Sequence, residues 1–204
     1  MASTKLPITS ALLFGPKSRR FGFPKAFLPW GQGSLASHLL QEAHKGFQEV
    51  LAVAKEPKWI PPDAQGKATL ILDRWPLWGP LVGLASALPL ARYEAVYLTA
   101  CLRPHLGWEL AKGMWTVFQR EGPFDAVVPY LGGQWKPLNA LWHRTSLPTL
   151  QPDKWASLDQ LLEEGGLHIR RVSSSEMEKW DPGFTSQQDL ESLQDWAALM
   201  APQV

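Results

Sequence analysis

Residues 12–31 read LLFGPKSRRFGFPKAFLPWG. Four cations, Lys17, Arg19, Arg20 and Lys25, fall within nine positions, interleaved with glycine and proline, just after an apolar run. That run begins upstream as LPITSALLF (6–14), and its abrupt stop at Gly15 predicts a buried strand entering a loop. A loop of this kind suits a strongly negative ligand. Lysine acts as a point charge, arginine as a planar fork, and glycine lets the backbone approach closely. The alternative is a solvated basic turn. Pro16 removes one N–H where a phosphate cradle would use it, and holds φ at about −65°.

Outward from this stretch, SLASHLLQEAHKGF (34–47) has helical spacing, with Ser34 placed to cap it. EVLAVA (49–54) and ATLILD (68–73) read as strands, GPLVGLASALPLAR (79–92) as a helix with Pro80 in its first turn. A strand at 94–101, a helix at 105–121 and a strand at 124–131 follow. PLNALWHRTSLPTLQ (137–151) reads as a helix, then SLDQLLEEGG (157–166), a strand at 167–172 and a last helix at 186–200. This alternation predicts an α/β three-layer sandwich around a mostly parallel, Rossmann-like sheet. Right-handed crossovers would align the strand C-termini along one edge, where such sheets bind ligands. Gly15, Asp73 and Leu102 fall at those ends. The 204 residues fit one domain in two halves, 1–100 and 101–204, the second including the C-terminal helix.

Formal net charge is +1, which points to neither a nucleic-acid partner nor a membrane surface. Its distribution is uneven. No acid precedes Glu42, whereas ten acids face four Lys or Arg from Gln151 onward. Cys101 is the only cysteine, which excludes an internal disulfide and a multi-cysteine metal site and is compatible with a cytoplasmic location. No apolar run reaches the roughly 18 residues of a membrane span, and the N-terminus is a poor secretion signal.

The loop resembles the signature of the molybdenum cofactor guanylyltransferase (MobA-like) nucleotidyltransferases, roughly L-A-G-G-x-S-x-R-M-G-x-x-K-A. Leu13, Gly15, Ser18, Arg20, Gly22, Lys25 and Ala26 match it. ILDRWPLWGPLVGLASAL is similar to the family's Asp followed by G-P-L-x-G, with Asp73, Gly79, Pro80, Leu81 and Gly83 in register. FDAVVPYLGGQWKPLNALWHR resembles its A-V-V-P block and the Q/K-P-L-x-A-L-Y that follows. The resemblance implies transfer of GMP from GTP to molybdopterin. Arg20 and Lys25 would be catalytic, and Gly15, Ser18, Arg20 and Lys25 would hold phosphates. Leu13, Phe14 and Gly79 would lie about the nucleotide, with Asp73 near guanine or ribose. Gln134, Lys136 and Pro137 would face the second substrate. It also implies Mg2+ and, as partners, other proteins of molybdenum cofactor biosynthesis.

The chain departs from that pattern at several positions. The family's metal-binding aspartate, in A-C-D-x-P-F-L, corresponds to Leu102 in TACLRPHL. Leucine offers magnesium no oxygen, which leaves Asp73 as the nearby candidate. Lys55 stands where a base-contacting asparagine is common, and Thr185 replaces another asparagine. His143 and the tryptophans at 59, 75 and 78 either meet ligand or pack. A catalytically degenerate relative that binds nucleotide or a partner protein, or a nucleotidyltransferase for another substrate, is the alternative reading.

Overall fold

The computed structural model describes residues 5–16, 18 and 21–200. Its centre is β1 (Leu6–Phe14), in which alternate side chains face opposite layers as strand geometry requires. Ile8, Leu12 and Phe14 enter one apolar cluster, while Ala11 enters the other and Leu13 packs against it. A strand buried on both faces reads as a continuous apolar run, which is how LPITSALLF reads.

A short ribbon, β2 (Pro29–Trp30) with β3 (Gly33–Ser34), leads into α1 (Leu35–Gly46). The Ser34 hydroxyl accepts from the Ser37 N–H and so caps α1 as its sequence predicts. β4 (Phe47–Ala54) and β5 (Thr69–Leu72) extend the sheet on one side, and α2 (Pro80–Ala87) crosses back. On the other side lie β6 (Ala95–Ala100), α3 (Trp108–Glu121) and β7 (Ala126–Leu131). Then come β8 (Gln134–Trp135), β9 (Ala140–His143), α4 (Leu158–Glu164), β10 (Ile169–Val172), α5 (Ser174–Trp180) and α6 (Leu193–Met200). The sheet runs β10-β7-β9-β6-β1-β4-β5, with β8 paired to β7. β1 pairs in parallel with both β4 and β6, whereas β9 runs antiparallel between β6 and β7. Helices cover both faces: α1 and α3 contribute to one cluster, α2 and α4 to the other. The mostly parallel three-layer α/β fold is the one the alternation predicts. Among the described residues no helix is long and apolar enough to cross a membrane.

Three local expectations are corrected. Residues 137–151 form β9 and a 3-10 turn, Arg144–Thr149, instead of a helix. Buried Asn139, with φ +56°, gives its N–H to Leu98 O at 2.6 Å and starts a strand that fills the gap between β6 and β7. α3 begins at Trp108 because Gly107 is left-handed (φ +68°), and a Cβ there would lie 2.6 Å from Ser186 Cβ. The expected last helix is broken: a 3-10 turn spans Pro182–Gln187, and α6 starts only at Leu193.

α5 carries a reciprocal cap. The Ser173 hydroxyl accepts from the Glu176 N–H, and the Glu176 carboxylate accepts from the Ser173 N–H at 2.9 Å. The Arg170 guanidinium holds that carboxylate at 2.7 Å and pulls its pKa from an ordinary 4.5 to about 2. A depressed carboxylate contributes stability above its unfolded pKa and loses it as pH falls through the folded one. Solvent screening at this partly exposed group limits the contribution to about 1–2 kcal/mol. Wild-type stability measured by urea denaturation should therefore fall between pH 4.5 and 2 by that much more than Glu176→Gln does. Parallel pH profiles for the two proteins would exclude the coupling.

Candidate functional site

Four strands end side by side at the C-terminal edge of the sheet, in the order β6, β1, β4, β5. Backbone hydrogen bonds carry the alignment past the strands: Cys101 N donates to Leu13 O, and Asp73 N to Ala54 O, both at 2.9 Å. A cleft of about 290 Å³ opens there. Leu13, Phe14, Gly15, Ser18, Lys25, Asp73 and Gly79, all expected at a nucleotide site, line it together. Arg20 lies outside the described residues, as do Lys17 and Arg19.

The loop after β1 is a tight turn. Gly22 N donates to Ser18 O at 2.8 Å, and Ser18 N to Phe23 O at 3.1 Å; Gly22 has φ +79°, a region that favours glycine. Lys25 begins a 3-10 turn, Lys25–Phe27, with its ammonium 5.0 Å from the Phe21 ring centroid. That ammonium donates to the Leu190 carbonyl, while Leu190 N donates to Leu102 O at 2.8 Å.

The G-P-L-x-G block has a physical reason at each end. Gly79 takes φ +124°, Pro80 occupies the first turn of α2, and a Cβ on Gly83 would lie 2.6 Å from Leu13 Cδ2. The lining also includes two tryptophans. Trp59 is buried and Trp78 is 60% exposed, their ring centroids 5.6 Å apart.

Lys55 is the site residue whose role sequence reasoning missed. Its ammonium lies 3.3 Å from Asp73 Oδ2 and 5.1 Å from the Trp78 ring centroid, and donates to Trp75 O. Asp73 Oδ1 accepts from Trp75 N at 3.0 Å and from Ser86 Oγ at 3.4 Å. Asp73 is thus neutralised at the cleft floor, its side chain 8% exposed. A lysine in place of the expected asparagine was visible in the sequence, but the strand register that sets it beside Asp73 was not.

Burial pushes the Cys101 thiol up to about 12, so it stays protonated near neutral pH and cannot serve as a thiolate nucleophile. His143 is registered against Ala95, the first residue of β6, and so lies at the edge of the sheet opposite the cleft. Its ring packs on Phe118.

Gln134 and Lys136 line a separate shallow depression with Phe184, Gln187 and Gln188. Pro137 is not among its lining residues; its carbonyl accepts from Trp142 Nε1 at 3.4 Å. The segment 181–190 runs between the two hollows. Arg103, 6% exposed, anchors it: Nε donates to Asp189 Oδ1 at 2.6 Å, and Nη1 to Gln187 Oε1 at 3.0 Å and Leu138 O at 3.1 Å. Asn139 Nδ2 donates to Ser186 O at 2.5 Å, and the Asp181 carboxylate accepts from Ser186 N and Oγ.

Residues 11–176 match the model of the MobA-like NTP transferase domain. The chain belongs to the MobA-like NTP transferase family. A relative from Carboxydothermus hydrogenoformans, named "Probable molybdenum cofactor guanylyltransferase", is 31% identical over 71% of this chain and 70% of its own. One from Bacillus cereus with the same name is 26% identical over 75% and 78%. The fold is shared with the molybdopterin-guanine dinucleotide biosynthesis protein A of Archaeoglobus fulgidus, at TM-score 0.78 and 19% identity over 94% and 96% of the chains. It is also shared with the 2-C-methyl-D-erythritol 4-phosphate cytidylyltransferase of Thermus thermophilus, at TM-score 0.58 and 20% identity over 92% and 95%.

The divalent ion expected in this MobA-like domain does not fit the residues present. Leu102 lines the cleft where a carboxylate would be needed, and the Arg103 guanidinium is committed to the 181–190 segment. Asp73 is the one acid among the described lining residues, and it is already engaged by Lys55. Among the described residues no group of three His, Cys, Asp or Glu could hold a metal.

Proposed function

We propose that this chain is a nucleotidyltransferase that moves GMP from GTP to the terminal phosphate of molybdopterin, in the cytoplasm, within molybdenum cofactor biosynthesis. The observation that carries this reading is the 31% identity to a relative named for that activity, over 71% of the chain. The collection of Gly15, Ser18 and Lys25 in one cleft at the sheet edge supports it. In this reading a phosphate oxygen of molybdopterin attacks the α-phosphorus of GTP, the α–β bridging P–O bond breaks, and pyrophosphate leaves. Gly15, Ser18, Arg20 and Lys25 hold the phosphates, and Lys25 balances charge developing on the leaving group. Leu13, Phe14 and Gly79 flank the nucleoside, and Asp73 meets guanine or ribose. Gln134 and Lys136 face the molybdopterin.

Calorimetric titration with GTP and with CTP tests the reading. GTP is expected to bind more tightly, and Lys25→Ala to weaken it by about 1.5–3 kcal/mol, the scale for hydrogen bonds to charged groups. No heat from either nucleotide would remove nucleotide chemistry altogether. Preference for CTP would shift the substrate to another nucleotidyl donor. Leu102 favours a second reading, a nucleotide-binding relative without catalysis. Under it, GTP binds but no pyrophosphate is released when molybdopterin is added.

A further inference from the structure

Strand order sets the spacing of groups along the cleft floor. Going from β6 through β1 and β4 to β5, the positions level with one another beyond the strands are Leu102, Gly15, Lys55 and Asp73. Neighbouring strands lie about 4.8 Å apart, so about 14 Å of sheet edge separates the Leu102 position from Asp73. Magnesium holds its oxygens at about 2.0–2.1 Å in near-octahedral array, far too close for those two positions to share one ion. Asp73 cannot stand in for a carboxylate at Leu102.

Two acids of the segment that meets Lys25 at Leu190 are also committed. Asp195, close enough to Lys25 to feel its charge, accepts from Glu191 N at 2.9 Å and Ser192 N at 2.8 Å. Asp189 is held by Arg103 at 2.6 Å. The residues outside the described set contribute no Asp, Glu, His or Cys side chain. Among the described cleft-lining residues, two lysines face one aspartate, so that lining is net positive by one charge. Lys17, Arg19 and Arg20 belong to the same loop in sequence.

We infer that this cleft binds the polyphosphate of a nucleoside triphosphate through lysine ammonium, without a protein-held divalent ion. Lys55 neutralises the floor carboxylate, and Lys25 carries positive charge that an ion would otherwise supply. Such a site favours the free triphosphate over its magnesium complex, whose negative charge is smaller by two. The inference rests on the nucleotide-binding reading above.

Calorimetry with GTP in excess EDTA, and again in millimolar magnesium, separates the possibilities. The expected result is an affinity in EDTA equal to or tighter than that in magnesium. A tenfold or greater tightening by magnesium would overturn the inference and leave the nucleotide reading standing. No heat under either condition would overturn both. With Mn2+ alone as probe, the protein is expected to leave the free-ion electron paramagnetic resonance signal undiminished; stoichiometric loss of that signal would overturn the inference. Leu102→Asp is expected to reverse the preference, weakening GTP binding in EDTA several-fold and making magnesium tighten it, whereas the neutral Leu102→Asn should do neither. If Leu102→Asp folds and binds GTP as the wild type does under both conditions, the Leu102 position does not face the phosphates and the inference fails.

Discussion

Trp142→Ala is expected to cost about 3–5 kcal/mol, the range for truncating a fully buried tryptophan when the surroundings cannot collapse into the space. Trp142 has no exposed surface, and its strand is wedged antiparallel between β6 and β7. Its ring sits in the cluster that α4 closes with Leu158, Leu161 and Leu162. Emptying that position removes apolar contact from both neighbouring strands at once, and it orphans no charge. Against a typical domain stability of about 5–15 kcal/mol, the variant should be marginal at 25 °C. Guanidinium titration monitored by far-ultraviolet circular dichroism measures the loss directly. A cost below about 1.5 kcal/mol would mean that β9 is not part of the cooperative core.

Arg103→Ala is the second large effect, about 3 kcal/mol, and its cause is polar. Removing one partner of a buried hydrogen bond costs about 1–3 kcal/mol for an acceptor left unsatisfied, and Asp189, 40% exposed, recovers part of it from water. Here the stranded acceptors are Asp189 Oδ1, Gln187 Oε1 and Leu138 O. Arg103→Lys should recover only part of the loss, because an ammonium lacks the planar fork that reaches three acceptors in different directions. The loss should also be local. Amide exchange should rise first at residues 185–190, with β1 and β4 protected as before. Uniform exchange across the sheet would contradict a local anchor.

The parts of the fold legible in the sequence are those in which local pattern and tertiary role coincide. β1 is apolar throughout because it is covered on both faces. α1 announces its start through Ser34. The block from Gly79 to Gly83 is fixed by a left-handed backbone and by the approach of Leu13. β9 was not legible. Leu138, Leu141 and Trp142 fall at i, i+3 and i+4, which is helical spacing, and only the gap between β6 and β7 makes the segment a strand. The end of the chain misled for a related reason. Leu190 is buried with both its N–H and its carbonyl committed to other parts of the molecule, so no helix can run through it. At the site, one residue of the pair at the floor could be read and the other could not be placed. Asp73 belongs to a pattern, but Lys55 joins it only through the register of Ala54 against Leu72.

The Leu190 contacts bear on the order in which the molecule can be completed. The loop that ends at Lys25 leaves the ribosome early, and all four strand ends of the cleft are available once Leu102 has emerged. The carbonyl that receives Lys25 and the amide that meets Leu102 are made 88 residues later, at Leu190. A nascent chain can therefore bring together the four strands under the cleft well before the cleft has its final shape, and a later part of the polypeptide finishes an earlier one.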